Sequence, residues 1–354
     1  MNNYFCVLPF YSVEIAHNNP KNIYCCRLPK STDIKQVQQS MINQQRSPAC
    51  NTCWRLEDRS LTSERQIHNA TFDFYLDRDL EKIEQDAIDQ LNQPQIIKLS
   101  TSNLCNGTCV TCGSDASSAW SALENKSIKY NKISIEDIEK INWADIKQLS
   151  FVGGEPLLEK LNFEVLQRLI ETNNTNCFIS IVTNGSCALT ATQFQMLGKF
   201  PNLNICLSID GVGKRFEYMR YPLSWDLLCE NLEKFKKITN NISVSVMISN
   251  VNVFYYSELI EFFNKHNLNY LCKQVEHPQY FSPSNLPDEF KQQVLDNNPQ
   301  YRDQVKSFLN IGTYNTVLFK KCCDELRRQD VLKNINISDY LPINFLQKST
   351  VEIS

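Results

Sequence analysis

From Ile96 onward the chain alternates short apolar, β-branched runs with amphipathic stretches at helical spacing. The runs Ile96 to Ser100, Lys147 to Val152, Phe178 to Thr183, Asn204 to Ile209, Ser243 to Ile248 and Tyr270 to Val275 read as strands. Between them, Leu158 to Thr172, Trp225 to Ile238 and Tyr256 to His266 place apolar side chains on one helical face. Strands separated by helices predict a parallel sheet. Eight such units close a full barrel, and the six found here predict an α/β fold with an open, partial (βα)6 TIM-like barrel. Upstream, residues 73 to 92 read as a connecting helix that Pro94 stops. Beyond Asn285 the strand pattern ends, and helices are predicted around Glu289 to Leu295 and Tyr314 to Leu332. The domain reading is therefore a small Cys-rich module over 1–75, a linking helix over 76–94, the barrel over 95–280 and a helical extension over 281–354. There is no internal repeat or low-complexity stretch.

Composition narrows the class. A chain of 354 residues with 42% hydrophobic content and a net charge of −3 suits a globular protein with one large barrel and appendages. It lacks an apolar run long enough to span a membrane. No basic segment followed by an apolar stretch opens the sequence, so no signal peptide is expected. The near-neutral charge points to no nucleic-acid partner, and the pairs Lys236-Lys237, Lys320-Lys321 and Arg327-Arg328 read as solvated helix faces. The 15 cysteines are odd in number and clustered, which favours metal ligation in a reducing, cytoplasmic setting over disulfides.

The sharpest cluster is Cys105-Asn106-Gly107-Thr108-Cys109-Val110-Thr111-Cys112. Three thiolates in one loop can hold three irons of a [4Fe–4S] cluster, whereas an electron-transfer cluster normally takes four cysteines. An open iron can bind a small molecule directly, as an open zinc position marks a catalytic site. Downstream, Phe151-Val152-Gly153-Gly154-Glu155-Pro156 ends a strand in two glycines, which permit close backbone approach, followed by the carboxylate of Glu155. Further polar turns, Thr183-Asn184-Gly185 and Ser208-Ile209-Asp210-Gly211, lie at later strand ends, where barrels of this kind place their chemistry. Period two puts Ser208 and Asp210 on one face and Ile209 on the other.

Together the three-cysteine loop and Gly153-Gly154-Glu155-Pro156 resemble the radical S-adenosylmethionine (radical SAM) superfamily, whose cores typically adopt a partial barrel. The resemblance implies that Cys105, Cys109 and Cys112 bind a catalytic [4Fe–4S] cluster. It implies that Gly153, Gly154 and Glu155 meet the amino group of SAM, and that Thr183, Asn184, Ser208 and Asp210 serve its ribose and carboxylate region. Arg220 matches an arginine that pairs with the SAM carboxylate. Ile248 and Asn250 match positions bordering the adenine, with plain core packing as the competing reading. The activity implied is reductive cleavage of SAM to a 5′-deoxyadenosyl radical that abstracts hydrogen from a peptide or small-molecule substrate. The reduced cluster would receive its electron from a donor such as flavodoxin or ferredoxin. One departure is Thr111, where many relatives carry an aromatic residue before the third cysteine. The run Gly113 to Trp120 looks like the small-residue, tryptophan-bearing helix start of the Twitch-containing subgroup.

A second set comprises Cys6, the pair Cys25-Cys26, and Cys50-Asn51-Thr52-Cys53-Trp54. By residue type it suits zinc or an iron–sulfur cluster. The resemblance is to the Twitch module, a shortened SPASM domain, here placed ahead of the barrel. It implies a second [4Fe–4S] cluster that handles electrons, with Cys6, Cys50, Cys53 and one of Cys25 or Cys26 as ligands. The strand pattern Ile23-Tyr24 favours Cys26. Ser60 to Gln66 and Asn69 match the tail of that module. Cys177, Cys187, Cys206, Cys229 and Cys272 read as core thiols. Cys322 and Cys323 fall on a helix where neighbours point apart. His277 follows the sixth strand as a candidate substrate contact. Two competing classes stand beside the enzyme: a non-catalytic iron–sulfur regulatory protein, and a zinc-stapled binding protein.

Overall fold

In the computed structural model, the structure describes residues 4–17, 19–23, 25, 28, 32–58, 60, 62–72, 94–126, 132–134, 136, 138–310, 314–340 and 346. In chain order come β1 (Ser12–Ala16), β2 (Asn19–Ile23), α1 (Ile34–Ile42), α2 (Asn51–Glu57), α3 (Glu64–Phe72) and β3 (Ile96–Ser100). Then follow α4 (Ser118–Leu123), β4 (Gln148–Val152), α5 (Lys160–Glu171), β5 (Phe178–Thr183), α6 (Ala191–Leu197) and β6 (Leu203–Ser208). After these lie α7 (Lys214–Met219), α8 (Trp225–Phe235), β7 (Asn241–Ile248), α9 (Tyr256–Lys265) and β8 (Asn269–Gln274). The chain closes with α10 (Asp288–Asn297), α11 (Arg302–Asn310) and α12 (Thr316–Lys333). This is the expected α/β class, a partial barrel of parallel strands with a helical C-terminal extension.

The contacts gather into two compact units, residues 1–102, 131–181 and 195–203 in the first, and 103–130, 182–194 and 204–354 in the second. In the first, β3 pairs in parallel with β4, and β4 with β5. Ile97, Leu99, Leu149, Phe151, Ile179 and Ile181 of these strands are wholly buried, each contributing about 1.5–3 kcal/mol by leaving water. Two strands escaped the sequence reading. β1 pairs in parallel with β3 and antiparallel with β2, so the sheet begins inside the segment that reads as a separate Cys-rich module. α5 buries Leu161, Val165, Leu166 and Leu169 along one face, and the Glu159 side chain caps it by accepting from the Leu161 N–H.

In the second unit, β6 pairs in parallel with β7 and β7 with β8. On β7, Ile242, Val244, Val246 and Ile248 share the buried face. α8 buries Leu228, Leu232 and Phe235 and is capped by Ser224. α12 starts on an Asn315 cap and ends at Asn334, whose left-handed backbone (φ 53°) closes the last turn. The extension carries one helix more than expected, α11. The linking helix expected near 73–92 lies outside the described residues, as does Cys26. No helix among the described residues is long and apolar enough to cross a membrane.

Candidate active site

The three-cysteine loop belongs to the second unit and is held from several directions at once. From the turn after β5, the Asn184 amide donates to Asn106 Oδ1 (2.8 Å), while Asn106 Nδ2 donates to the Ser186 carbonyl (2.9 Å). From the end of α7 and the residues after it, the Tyr221 carbonyl accepts from both the N–H and the hydroxyl of Thr108, and the Met219 carbonyl accepts from the Val110 N–H (2.8 Å). From the start of α4, the Cys105 N–H donates to Ser118 Oγ (3.0 Å) and Ser117 Oγ donates to the Gly107 carbonyl (2.7 Å). Trp120 Nε1 donates to the Cys109 carbonyl (3.0 Å). The loop is thus held in shape by the chain's own hydrogen bonds, which lowers the ordering cost of binding a ligand.

Charge at the loop is concentrated on Cys109. Arg220 places Nη1 3.9 Å from the Cys109 sulfur and Nη2 2.6 Å from Asp210 Oδ2. Asp210 is 2% exposed, and its other oxygen accepts from the Met247 N–H (2.9 Å). Burial works against the Arg220 cation, but Asp210 and the Cys109 sulfur outweigh it and raise its pKa. Burial likewise raises the Cys109 thiol, which Arg220 partly offsets, and pushes Cys112 up to about 12. Arg220 is therefore held by Asp210 rather than standing open, and its buried Nε has no hydrogen-bond partner.

Among the described residues, no three His, Cys, Asp or Glu side chains are gathered as ligands of one metal ion. A cubane takes each thiolate on a separate iron, so its ligands need not converge on a point. The donor set fits such a group: three soft sulfurs on one loop, and a buried guanidinium beside one of them with a donor to spare.

The other expected residues separate by role. Thr183 and Asn184 are buried and build the β5 turn, with Thr183 Oγ1 accepting from the Gly185 N–H and Asn184 Oδ1 from the Ser186 N–H. Ser208 ends β6 half-buried, so the strand period stops short of Asp210, and Ile209 and Asp210 are both buried. Ile248 packs in the core face of β7, as the packing reading has it. Asn250 is fully buried, donates to the Tyr280 carbonyl (2.9 Å) and leaves its Oδ1 without a partner. His277 is exposed.

The first unit holds the Gly153-Gly154-Glu155 turn. Gly153 has φ 121°, and a Cβ there would sit 2.8 Å from the Ser102 carbonyl, so glycine is required. That carbonyl also accepts from the Gly154 N–H (3.0 Å). Glu155 is 2% exposed, and its carboxylate accepts from the Leu157 N–H (3.0 Å).

The N-terminal cysteines also lie in the first unit. Cys6 and Cys53 are buried, Cys50 half-buried. Burial pushes Cys6 up to about 12, with Cys50 and Cys53 adding to it, and Cys50 goes to about 11 by burial and the nearness of Cys53. Three thiols thus sit within electrostatic reach of one another. Cys25 packs against the apolar patch of Phe5, Cys6, Leu8 and Phe10. The backbone just before Cys6 is fixed by Arg65 and Asn69, which both donate to the Phe5 carbonyl (2.7 and 2.8 Å). Arg65 also grips Glu57 through two oxygens and lies 4.6 Å over the Trp54 ring.

Sequence reasoning missed Asn106, the Tyr221 carbonyl and the α12 contacts, because each joins positions far apart in the chain. Asn106 lay in plain view between Cys105 and Gly107, and an amide inside a ligand loop is itself a signal.

No curated protein matches the chain. Solved structures similar to it include native anSMEcpe with bound AdoMet, at 19% identity and a TM-score of 0.43, covering 60% of this chain and 62% of that one. Streptococcus suis SuiB bound to precursor peptide SuiA matches at 14% identity and a TM-score of 0.44, over 88% of this chain and 72% of that one. TYW1 with a lysine-pyruvate adduct bound matches at 12% identity and a TM-score of 0.34, over 55% and 68%. The chain therefore spans 62% of the length of the anSMEcpe structure it matches. Residues 99–264, a little under half of the chain, match the family model of the Radical SAM superfamily.

Proposed function

We propose that this protein is a radical SAM enzyme in which Cys105, Cys109 and Cys112 hold three irons of a [4Fe–4S] cluster and SAM takes the fourth. The observation that carries the reading is the pre-shaped cysteine loop with the Arg220–Asp210 pair against Cys109, inside the segment that matches the superfamily. When bound, the two cofactors supply one-electron cleavage of SAM, and with it the power to remove hydrogen from an unactivated C–H bond. The chain's own groups bind and orient. Arg220 offers a buried cation to the SAM carboxylate, and Asp210 fixes its direction. Gly153 and Gly154 bring backbone close to the SAM amino group, and Glu155 adds a carboxylate there. Thr183, Asn184 and Ser208 serve the ribose side, while Ile248 and Asn250 border the adenine.

In the same proposal the N-terminal segment is a Twitch-like module. Cys6, Cys50, Cys53 and one of Cys25 or Cys26 ligate a second [4Fe–4S] cluster that handles electrons in the later half of the reaction. The mutual nearness of the Cys6, Cys50 and Cys53 thiols supports it. The substrate class is a peptide or a small molecule, and the electron donor a flavodoxin or ferredoxin. The test is the triple substitution of Cys105, Cys109 and Cys112 by Ala after anaerobic reconstitution. It should remove about four irons per chain and abolish 5′-deoxyadenosine formation with dithionite. A triple variant that still cleaves SAM would sink the assignment. Wild-type protein that binds iron without cleaving SAM would favour the non-catalytic reading.

A further inference from the structure

We propose that Lys333 is a positioning residue that fixes a positive charge behind the cysteine loop and thereby raises the reduction potential of the cluster held there; this rests on the cluster reading above. The argument starts from the last turns of α12. Gln329, 1% exposed, donates from Nε2 to the carbonyl of Val110 (3.0 Å), one of the two residues between Cys109 and Cys112 in the loop. Lys333 lies one helical turn on, 4% exposed, and its Nζ donates to Gln329 Oε1 (2.9 Å). The same ammonium stands 4.7 Å from the centre of the Trp120 ring, whose Nε1 donates to the Cys109 carbonyl (3.0 Å). Amide, ring and ammonium thus form one contiguous group, and two of its three members touch the loop backbone directly.

A buried ammonium is costly, and the groups it touches here are neutral. Burial lowers its pKa against the upward pull of the Cys109 sulfur, Asp330 and Glu325, leaving it at about 8, so the side chain remains largely cationic at neutral pH. Cys109 in turn feels Lys333 as well as Arg220. Arg220 is committed to Asp210, which cancels much of its charge at a distance. Lys333 has a neutral amide as its hydrogen-bond partner, and Asp330 and Glu325 act on it without a direct ion pair, so less of its charge is cancelled. Reduction places one electron, taken from dithionite or the physiological donor, on the cluster, which becomes one unit more negative. A fixed cation nearby stabilises that reduced form, and local charge and hydrogen bonding are known levers on cluster potential. A merely structural lysine would leave the potential unmoved.

The experiment is an EPR-monitored redox titration of anaerobically reconstituted full-length protein without SAM. The relevant signal is the one lost in the Cys105/Cys109/Cys112 triple variant. Lys333→Met and Lys333→Gln remove the charge, and Lys333→Arg keeps it. Both neutral variants should keep wild-type iron content while the reduced-to-oxidised ratio at a fixed potential falls about tenfold, equivalent to about 59 mV for a one-electron couple. Lys333→Arg should titrate close to wild type. Either neutral variant with full iron content and the wild-type midpoint overturns the proposal, as does an equal shift in Lys333→Arg. If wild-type protein shows no signal that depends on the three cysteines, the cluster reading fails, and this proposal with it.

Discussion

Asp210 and Arg220 show how one residue can matter through another. Both are deeply buried, with side-chain exposures of 3% and 12%. Removing one member of such a pair strands the other charge, at a cost of about 3–5 kcal/mol. Asp210→Ala should therefore lower stability by that order in denaturant titration, and an unchanged unfolding midpoint would refute the pairing argument. Glu155 makes a separate test. If its carboxylate contacts SAM, Glu155→Ala should weaken SAM binding by about 1.5–3 kcal/mol, or about ten- to a hundredfold. Calorimetric titration of protein with normal iron content reads this directly. Unchanged affinity would leave Glu155 as the cap that its bond to the Leu157 N–H already makes it.

At the scale of elements, α12 and the α2–α3 pair are the parts whose purpose sequence left open. The carbonyl of Val110 meets Gln329 Nε2 across 219 positions of chain. Gln329→Leu should leave that buried acceptor without its donor and cost about 1–3 kcal/mol, seen as a lower thermal midpoint; no change would show that another donor takes over. Between α2 and α3, burial alone would raise the pKa of Glu57, but hydrogen bonds from Arg65 and Ser63 outweigh it and hold it below its ordinary 4.5. A carboxylate depressed in the folded state adds stability above its unfolded pKa and loses it as pH falls through the folded value. Wild-type protein should thus lose this contribution on acidification below about pH 4.5, whereas Glu57→Gln should lack it already at pH 7 and show a shallower acid slope. Parallel slopes in urea midpoints against pH would rule the pair out as a source of acid sensitivity. The elements themselves were largely legible: β3 and β5 have the expected ends, and β4, β6, β7 and β8 differ from them by one or two residues. β1 and β2 were not, because Ser12–Ala16 and Asn19–Ile23 are short and carry Glu14, Asn19, Pro20 and Lys21. Their strand conformation comes from pairing with β3 and with each other, not from local alternation.

For the molecule as a whole, the two sets of cysteines predict about eight irons per chain, four for each cubane. Iron and sulfide analysis of reconstituted protein checks the number; four irons with one zinc would keep the barrel reading and discard the Twitch-like one. The pattern Ile23-Tyr24 favours Cys26 as the fourth ligand; Cys25 packs against the Cys6 patch, and Cys26 lies outside the described residues. We expect Cys26→Ala to lose the second cluster while SAM cleavage persists; loss of that cluster in Cys25→Ala instead would move the ligand to Cys25. Sequence by itself determined what is local: three thiols within eight residues, two glycines at a strand end, polar turns after β5 and β6, and the parallel α/β class that periodicity demands. Those features depend on neighbours along the chain, so they survive without knowledge of the fold. The tertiary structure alone decided that Asp210 is spent on Arg220, that Asn106 is clasped by Asn184, and that Gln329 and Lys333 stand behind Cys109 and Val110. Charge pairing and burial act through space, and no spacing rule records which distant groups folding will bring within a few ångströms of one another.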